Sequence, residues 1–524
     1  MFDVIVVGSG PGGTFATFQL RSKHVLVLDV GNCPPSFSPP DDELYAARAS
    51  RTMFDYLIGS SFESTHNLHS DYLSPKLKAP LLRYVTAKPN GERLYQEGSN
   101  FVPSYAQGGL ASAWGAGVFE YNDSDLRGYP ITSRELKPFF DILTQKIGIS
   151  GELDDLESYY GSTSGLQPPL MLNQIGSSIA AAYAEHRNYF EKNNLYFGRS
   201  RLAVLTQQLG ERIPHSYRNW DFFIPSQPAT YNPAFTLQEM VKYNQVDYRP
   251  NYLVKTFVDH GTHVLVLARN LRTGRDDYFE AKKFVLAAGA LNSAKIVLNS
   301  RRDTTSRLPL LDSSTSFVPF VHPCWIGRRL DVSGYPGAAQ MLVYDGPLMA
   351  EPVHASLYSI VGPLRSDFLA DFPLTISGNL LAAKYVLPAM VVVQLFYPDD
   401  PAATNYLRLA PDSQLEVHYR VVAKRGALER HIIRVLRRIG LQSHIKLCRF
   451  PVGGNGIHYA GTLPMKAEPI SPFETDRVCR LNAGKNVFVA DAATFPRLPS
   501  KHHTLTVMAN AMRVGQAILE ELER

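Results

Sequence analysis

Cysteine is scarce in this chain of 524 residues, with only Cys33, Cys324, Cys448 and Cys479. They lie far apart and form neither a CxxC pair nor a zinc-ligand spacing, which excludes a disulfide framework and a cysteine metal cluster. Reduced thiols in a cytoplasmic protein are the expectation. Charge is sparse as well, at 19% of residues, and the net excess of +5 includes no block of five or more basic residues. A nucleic-acid partner is therefore not expected. Long hydrophobic runs are missing: the longest, Leu380 to Phe396, contains Lys384, Pro388 and Gln394 and falls short of the roughly 18 uninterrupted apolar residues of a membrane span. It reads as a buried strand. Met1-Phe2-Asp3 leads straight into Val4-Ile5-Val6-Val7, with no basic region or small-residue cleavage site, so no signal peptide is expected and the fold starts at residue 2. Internal repeats and low-complexity segments are absent.

Apolar residues make up 45%, including 27 Tyr and 27 Phe, enough for a sizeable globular core. The length suggests about three domains or one large two-domain enzyme. Val4–Val7 is β-branched and apolar, Gly8-Ser9-Gly10-Pro11-Gly12-Gly13 follows, Thr14 to Arg21 is helical in pattern, and Val25–Leu28 gives a second strand ending at Asp29. This is a βαβ start with a dinucleotide fingerprint. Gly8 allows the tight turn, Gly10 lets backbone approach a pyrophosphate, Gly13 lets helix and strand pack, and the helix N-terminus offers N–H groups to the anion. Asp29 is placed to bind an adenosine ribose hydroxyl. The fingerprint does not separate NAD from FAD.

Residues 41–100 read as irregular. The spacing of Leu136, Phe139, Phe140, Ile142, Leu143 and Ile147 predicts an amphipathic helix over 133–149. Residues 253–257 and 264–267 predict an antiparallel excursion, and 283–289 a buried strand ending in Ala287-Ala288-Gly289, whose small residues permit close approach of backbone to a ligand or helix. Strands fill 311–450, closed by an amphipathic helix near 428–439. At the other end, 486–491 is a strand ending in Asp491, and a helix follows Thr504.

The ordered set of Gly8 to Gly13, Gly108-Gly109 with its small-residue tail, Val285 to Ser293, His458-Tyr459-Ala460-Gly461-Thr462, and the C-terminal strand, Asp491 and helix resembles the glucose-methanol-choline family of FAD-dependent oxidoreductases. The resemblance implies an α/β protein: a discontinuous Rossmann-type FAD-binding domain (1–145, 246–310 and 451–524) with an α+β substrate domain built on an antiparallel sheet (146–245 and 311–450). Strands such as Tyr406–Leu409 and Leu415–Tyr419 are matched to the substrate domain. The Gly108-Gly109 loop, with Ser112 and Ala113, would pass over the flavin, Val254 would lie near the adenine, and Asp491 and Ala492 would meet the diphosphate and ribityl chain. Gly12, Ala288, Gly289 and Thr504 complete the implied cofactor-binding positions. Some carbohydrate-oxidising members carry Ser-Thr-His-Trp after the glycine pair, with flavin joined covalently to the histidine. Here the run is Ala111-Ser112-Ala113-Trp114, so Ala113 implies non-covalent FAD; Ser64-Thr65-His66 lies too far upstream to substitute.

Alcohol oxidation by a flavin needs a hydride acceptor and a base for the hydroxyl proton, and histidine, with an ordinary pKa near about 6.5, suits the second role. The resemblance implies His458, in His-x-x-Gly-Thr, as the catalytic histidine with hydride passing to flavin N5. The second partner is His502 in the register that keeps Thr504-Leu505-Thr506 in line, and His503 in the alternative register. A metal site is not expected, because no third ligand stands at useful spacing. The expected substrate is a hydroxyl of a sugar, cyclitol or glycoside, with oxygen or another electron acceptor completing the cycle. The rival readings are a redox-silent FAD-containing lyase, a dehydrogenase for a non-carbohydrate alcohol, an NAD-dependent dehydrogenase and a non-catalytic binding protein.

Overall fold

The β-branched runs at the start of the chain form two parallel strands, Phe2–Val7 and Val25–Leu28, buried on both faces as crossover geometry requires. In the computed structural model, residues 1–36, 55–57, 59–61, 64, 75–161, 165–217, 224, 228–329, 333–335, 337, 339–360, 374–482 and 484–524 are described. The sheet continues across distant segments: Asp247–Arg249 pairs with Val25–Leu28, Asp276–Leu286 with Phe2–Val7, and Val487–Val489 with residues 284–286, all in parallel. Val264–Asn270 and Tyr252–Asp259 add the antiparallel excursion. Three stretches of chain thus share one sheet. Helices Pro11–Leu20 and Thr504–Glu523 pack together on one face, where Gly515 sits so close to Gln19 that a Cβ would lie 2.9 Å from that of its neighbour.

A second, antiparallel sheet runs Thr315–Val321, Met390–Phe396, Val353–Ser359, Gln340–Tyr344, Leu195–Arg199. Its period-2 pattern separates two faces. Val318, Phe320, Val391, Val393 and Leu395 pack under helices Gln174–Glu185 and Ala427–Leu436, while Phe317, Gln394, Phe396, Ser356, Tyr358 and Met341 line a cavity. The fold is mixed α/β with several sheets.

Most element expectations agree with these positions, including helix Ser133–Leu143 with its continuation to Gly148. Two differ. Leu380–Phe396 is not one strand: Thr375 caps a helix, Ile376–Tyr385, rich in Leu and Ala, and the strand begins only at Met390, after Pro388. Helix formers govern the first half and the Val391–Val393 run governs the second. Tyr406–Leu409 and Leu415–His418 do not join the substrate-side sheet; they pair with Leu308–Pro309 and Leu94–Gln96 and pack Leu407, Leu409, Leu415 and Val417 against the core around Leu286 and Leu298. Of the irregular stretch 41–100, residues 41–54, 58, 62–63 and 65–74, Thr65 and His66 among them, lie outside the described residues.

Candidate active site

A single cavity of about 420 Å³ runs from the Gly8–Gly12 turn to the inner face of the antiparallel sheet, in the size range of cofactor and small-molecule sites. At its first end the glycines are fixed by collisions. A Cβ on Gly8 would lie 2.5 Å from the Ala287 carbonyl oxygen, on Gly12 2.0 Å from that of Ala490, and on Gly13 1.9 Å from that of Gly8. Gly10 differs: its nearest neighbour would be Gly109 Cα at 3.8 Å, and it borders the cavity. Gly289, at φ +85°, faces open space. Gly10 and Gly289 are the N-caps of helices Pro11–Leu20 and Ala290–Arg301, and no side chain caps either helix. The donors at both N-termini are therefore available to an anion.

Two buried carboxylates brace this end. Asp29 accepts from the Ser9 hydroxyl and, at 3.4 Å, from Tyr248; burial pushes its carboxyl up to about 7. Asp491 accepts the Gly289 amide at 2.8 Å, the Ser293 hydroxyl at 2.6 Å and the Ala493 amide at 2.9 Å. Its side chain is thus engaged in holding the Gly289 turn, with burial raising its pKa. Val254, Ala288, Ala492 and Thr504 line the cavity, as do Gly109 and Ala113. Gly13, Gly108 and Ser112 lie behind the lining: Gly108 donates its amide to Ser9 Oγ at 3.2 Å, and Ser112 donates to the Gln107 carbonyl at 2.7 Å.

At the other end three imidazoles converge. The ring of His458 stacks on His502 at 4.8 Å and 26°, and stands edge-on to His503 at 5.1 Å. Phe396 and Phe119 flank His502, at 4.5 and 5.4 Å, whereas His503 faces Phe495 from the core side at 6.3 Å. All three rings border the cavity. His502 hydrogen-bonds the Gly117 backbone carbonyl through Nδ1, the nitrogen beside Gly117, which leaves the lone pair on Nε2. His502 Nε2, His458 Nδ1 and His503 Nδ1 are buried with no hydrogen-bond partner among the described residues. Burial depresses all three, His502 to about 4, His503 to about 3 and His458 well below the ordinary value, with their mutual repulsion adding to the effect on His458 and His503. They are neutral acceptors at neutral pH.

The C-terminal part of the chain, residues 434–511, matches the family model described as GMC oxidoreductase. Paromamine 6'-oxidase of Streptomyces fradiae is 23% identical over a 564-position alignment covering 100% of this chain and 92% of the relative. Over residues 434–511 and in its overall fold the chain is similar to GMC oxidoreductases. It is a flavin-dependent alcohol oxidoreductase, as the family as a whole depends on FAD. The fold is shared with pyridoxine 4-oxidase from Mesorbium loti (TM-score 0.61, 14% identity, 99% of each chain) and with a fungal aryl-alcohol oxidase (TM-score 0.56, 14% identity, 100% of this chain and 99% of that one).

The structure brings His458, His502 and His503 to one point and the glycine turn, Asp29, Gly289 and Asp491 to another. Sequence reasoning missed the residues that hold the histidines. His458 ends a loop containing Gly453-Gly454-Asn455-Gly456, a glycine density that signals a tightly packed turn; a Cβ on Gly456 would lie 1.9 Å from the Ser313 carbonyl oxygen. The loop before His502 is anchored by Arg497, paired with Glu351 at 2.5 Å and Asp400 at 2.9 Å, and by Lys501, paired with Asp125. No spacing in the sequence links these partners. Among the described residues there is no group of three potential metal ligands and no helix long and apolar enough to cross a membrane.

Proposed function

We propose that this chain oxidises a hydroxyl of a sugar, cyclitol or glycoside to a carbonyl, with FAD held non-covalently and the proton handled by His458 and His502. The observation that carries the reading is one cavity with an open glycine cradle at one end and, at the other, three neutral imidazoles that each keep one buried ring nitrogen without a partner among the described residues. Residues 1–145, 246–310 and 451–524 would form the discontinuous Rossmann-type FAD domain, and 146–245 and 311–450 the substrate domain. The cradle fits the cofactor: Gly8 and Gly12 set the tight turn, Gly10 and Gly289 leave open space beside it, the helix N-terminus after Gly10 offers donors for a diphosphate, Asp29 an acceptor for a ribose, and Val254 an apolar wall for adenine. Gly13, Gly108, Ser112 and Asp491 shape that cradle from behind. Ala113 presents a methyl group, which offers no nucleophile for a flavin linkage. When bound, FAD would supply the two-electron acceptor for the hydride of the carbinol carbon.

The chain's own residues do the rest. His458 takes the hydroxyl proton, and the neutral His502 ring, oriented by its bond to the Gly117 carbonyl, packs beside the carbinol from a second side. His503, edge-on and against Phe495, supports the pair. Phe119 and Phe396 exclude water, and Gln394, Ser356 and Asn455 offer polar contacts beside the rings of Phe317 and Tyr358, a mixture suited to a hydroxyl-rich ring. The related protein named for paromamine supports a sugar or cyclitol, and the three relatives named as oxidases support oxygen as acceptor.

The test is the visible spectrum of the purified protein followed by anaerobic titration with paromamine, glucosides, cyclitols, pyridoxine and benzyl alcohol. Bleaching of the flavin band by a carbohydrate, with peroxide formed on admitting air, is expected. Bleaching by pyridoxine or benzyl alcohol alone would overturn the substrate class. Substrate conversion with an unbleached flavin would assign the redox-silent lyase reading, and a colourless protein that FAD cannot reconstitute would remove the cofactor.

A further inference from the structure

Asp312 is wholly buried and belongs to none of the motifs above. Its two-residue strand pairs antiparallel with Tyr459–Ala460, so Asp312 faces Tyr459, the residue after His458. The carboxylate reaches into the loop ahead of that histidine. Oδ2 accepts the Gly454 amide at 2.7 Å, and the amides of Gly456 and His458 also turn toward the side chain. The loop has no slack on its outer side: a Cβ on Gly454 would lie 2.4 Å from the Asn100 carbonyl carbon, and the Tyr459 hydroxyl donates to the Gly454 carbonyl at 2.7 Å. Ile457 is held at φ +56°, a left-handed conformation that is strained for a β-branched residue and persists only where its surroundings over-determine it.

The second carboxylate of the cluster reaches the other histidine loop. Asp399 Oδ2 accepts the Asp312 amide at 3.0 Å and the Tyr419 hydroxyl at 2.7 Å, and that hydroxyl also lies 3.1 Å from the Asp312 carbonyl oxygen. The Asp399 backbone pairs with Leu498, its amide donating at 2.8 Å and its carbonyl accepting at 2.9 Å, four positions before His502. Asp312 thus grips the His458 loop through its side chain, and Asp399 joins that grip to the strand leading into His502. Two buried carboxylates side by side, both raised by desolvation, are an expensive way to fill a core, and apolar residues would serve if packing were all that was required.

We infer that Asp312 is a positioning residue for His458, and that the Asp312–Asp399–Tyr419 cluster sets the mutual register of the two histidine loops. The inference rests on the proposed role of the histidines. Its test uses the FAD-loaded enzyme in Asp312→Ala and Asp312→Asn forms. The first readout is the flavin reduction rate constant with the fastest-reducing alcohol of the panel above, and the second is the imidazole ¹⁵N signal of His458 in histidine-labelled protein. Asp312→Ala is expected to lower the reduction rate about 10- to 100-fold, with little change in the substrate concentration that half-saturates it, since a misplacement of about 1 Å has a cost of that order. It should also move the His458 signal. Asp312→Asn, which keeps an oxygen for the Gly454 amide, is expected to restore both to within about threefold. In a His458→Ala background, Asp312→Ala should cost nothing further. Should Asp312→Ala not fold, Tyr419→Phe deletes one hydroxyl while keeping the ring packed on Phe101 at 5.2 Å; a threefold or larger loss that vanishes in the His458→Ala background is expected. A wild-type rate with an unmoved His458 signal, or a loss of equal size with and without His458, overturns the inference. If no alcohol reduces the flavin, the proposed function fails, and the His458 signal alone still decides the positioning.

Discussion

At the nucleotide end of the cavity the backbone does the shaping: Gly8, Gly12 and Gly13 have carbonyl oxygens where a Cβ would sit, and Gly289 turns through positive φ. At the histidine end, His502 and His503 sit on unexceptional backbone, and the placement of the three histidines comes from side chains contributed from far along the chain: Asp312 for the His458 loop, and Phe119, Phe396, Asp399, Arg497 and Lys501 for His502 and the loop before it. A backbone requirement is met locally, by a residue type. A side-chain requirement is met by whichever distant residue the fold delivers. The first end should therefore fail all at once when touched, and the second should fail by degrees.

The largest effect is expected within the glycine turn, where the contrast can also be broken. Gly12→Val places a branched side chain against the Ala490 carbonyl, with a Cβ contact of 2.0 Å; destabilisation beyond about 4 kcal/mol should leave little soluble yellow protein. Gly10→Ala, whose new methyl would meet nothing closer than 3.8 Å, should keep the apoprotein melting temperature and lose FAD affinity instead, measured by flavin fluorescence on titration. Equal loss of fold in both variants would show that the turn is not a ligand cradle on its Gly10 side.

Next in size is His458→Ala, which should retain bound flavin and lower its reduction by alcohol by about 10²- to 10⁴-fold, the usual range for a general base. Stopped-flow absorbance checks it. His502→Ala should follow, and His503→Ala should cost least, because His502 lies between Phe396 and Phe119 on the substrate side whereas His503 faces Phe495. A larger loss for His502→Ala than for His458→Ala would exchange their roles, since the His502 Nε2 lone pair is already fixed as an acceptor. A larger loss for His503→Ala would select the other register.

The same contrast governs how much could be read before the fold was known. The glycine turn, Asp29 and the strand ending in Asp491 were legible because helix, strand and turn requirements act over a few residues, and even the return of the C-terminal strand to the first sheet followed from its acid-ended, apolar pattern. The carboxylate of Asp491, at the cavity, is engaged by Gly289, Ser293 and Ala493, partners that its own neighbourhood in the sequence does not reveal. The pairing of hairpin 406–418 with Leu94–Gln96 and Leu308–Pro309 is hidden for a related reason: alternation shows that a strand has two faces but not which layer it joins. Asp312 and Asp399 carried no motif at all. Their roles exist only through pairing across more than a hundred positions, as between Asp312 and Gly454.

The smallest effect is one of pH, and it sharpens the account of the histidine end. An ordinary imidazole acting as base loses activity as pH falls through about 6.5. Here burial favours the neutral ring, with His502 depressed to about 4, His503 to about 3 and His458 well below its usual value, so the base stays unprotonated further into acid. The flavin reduction rate constant should accordingly be flat from pH 8 to about 5 and decline only below that. The sign for stability is the same: unfolding exposes histidines that bind protons near 6.5, so acid draws the equilibrium toward the unfolded chain between that pH and the depressed folded values. Asp312, raised to about 7, contributes in the opposite direction, with stability that is present below the ordinary carboxylate range and lost as pH rises through about 7. Melting temperatures of wild type and His503→Asn between pH 5 and 7 separate the two contributions, because removing one depressed imidazole should flatten the acid side of the profile and leave the Asp312 side unchanged. An unaltered slope would mean that His503 is charged in the folded protein, and with it that the cavity end is wetter than its aromatic walls imply.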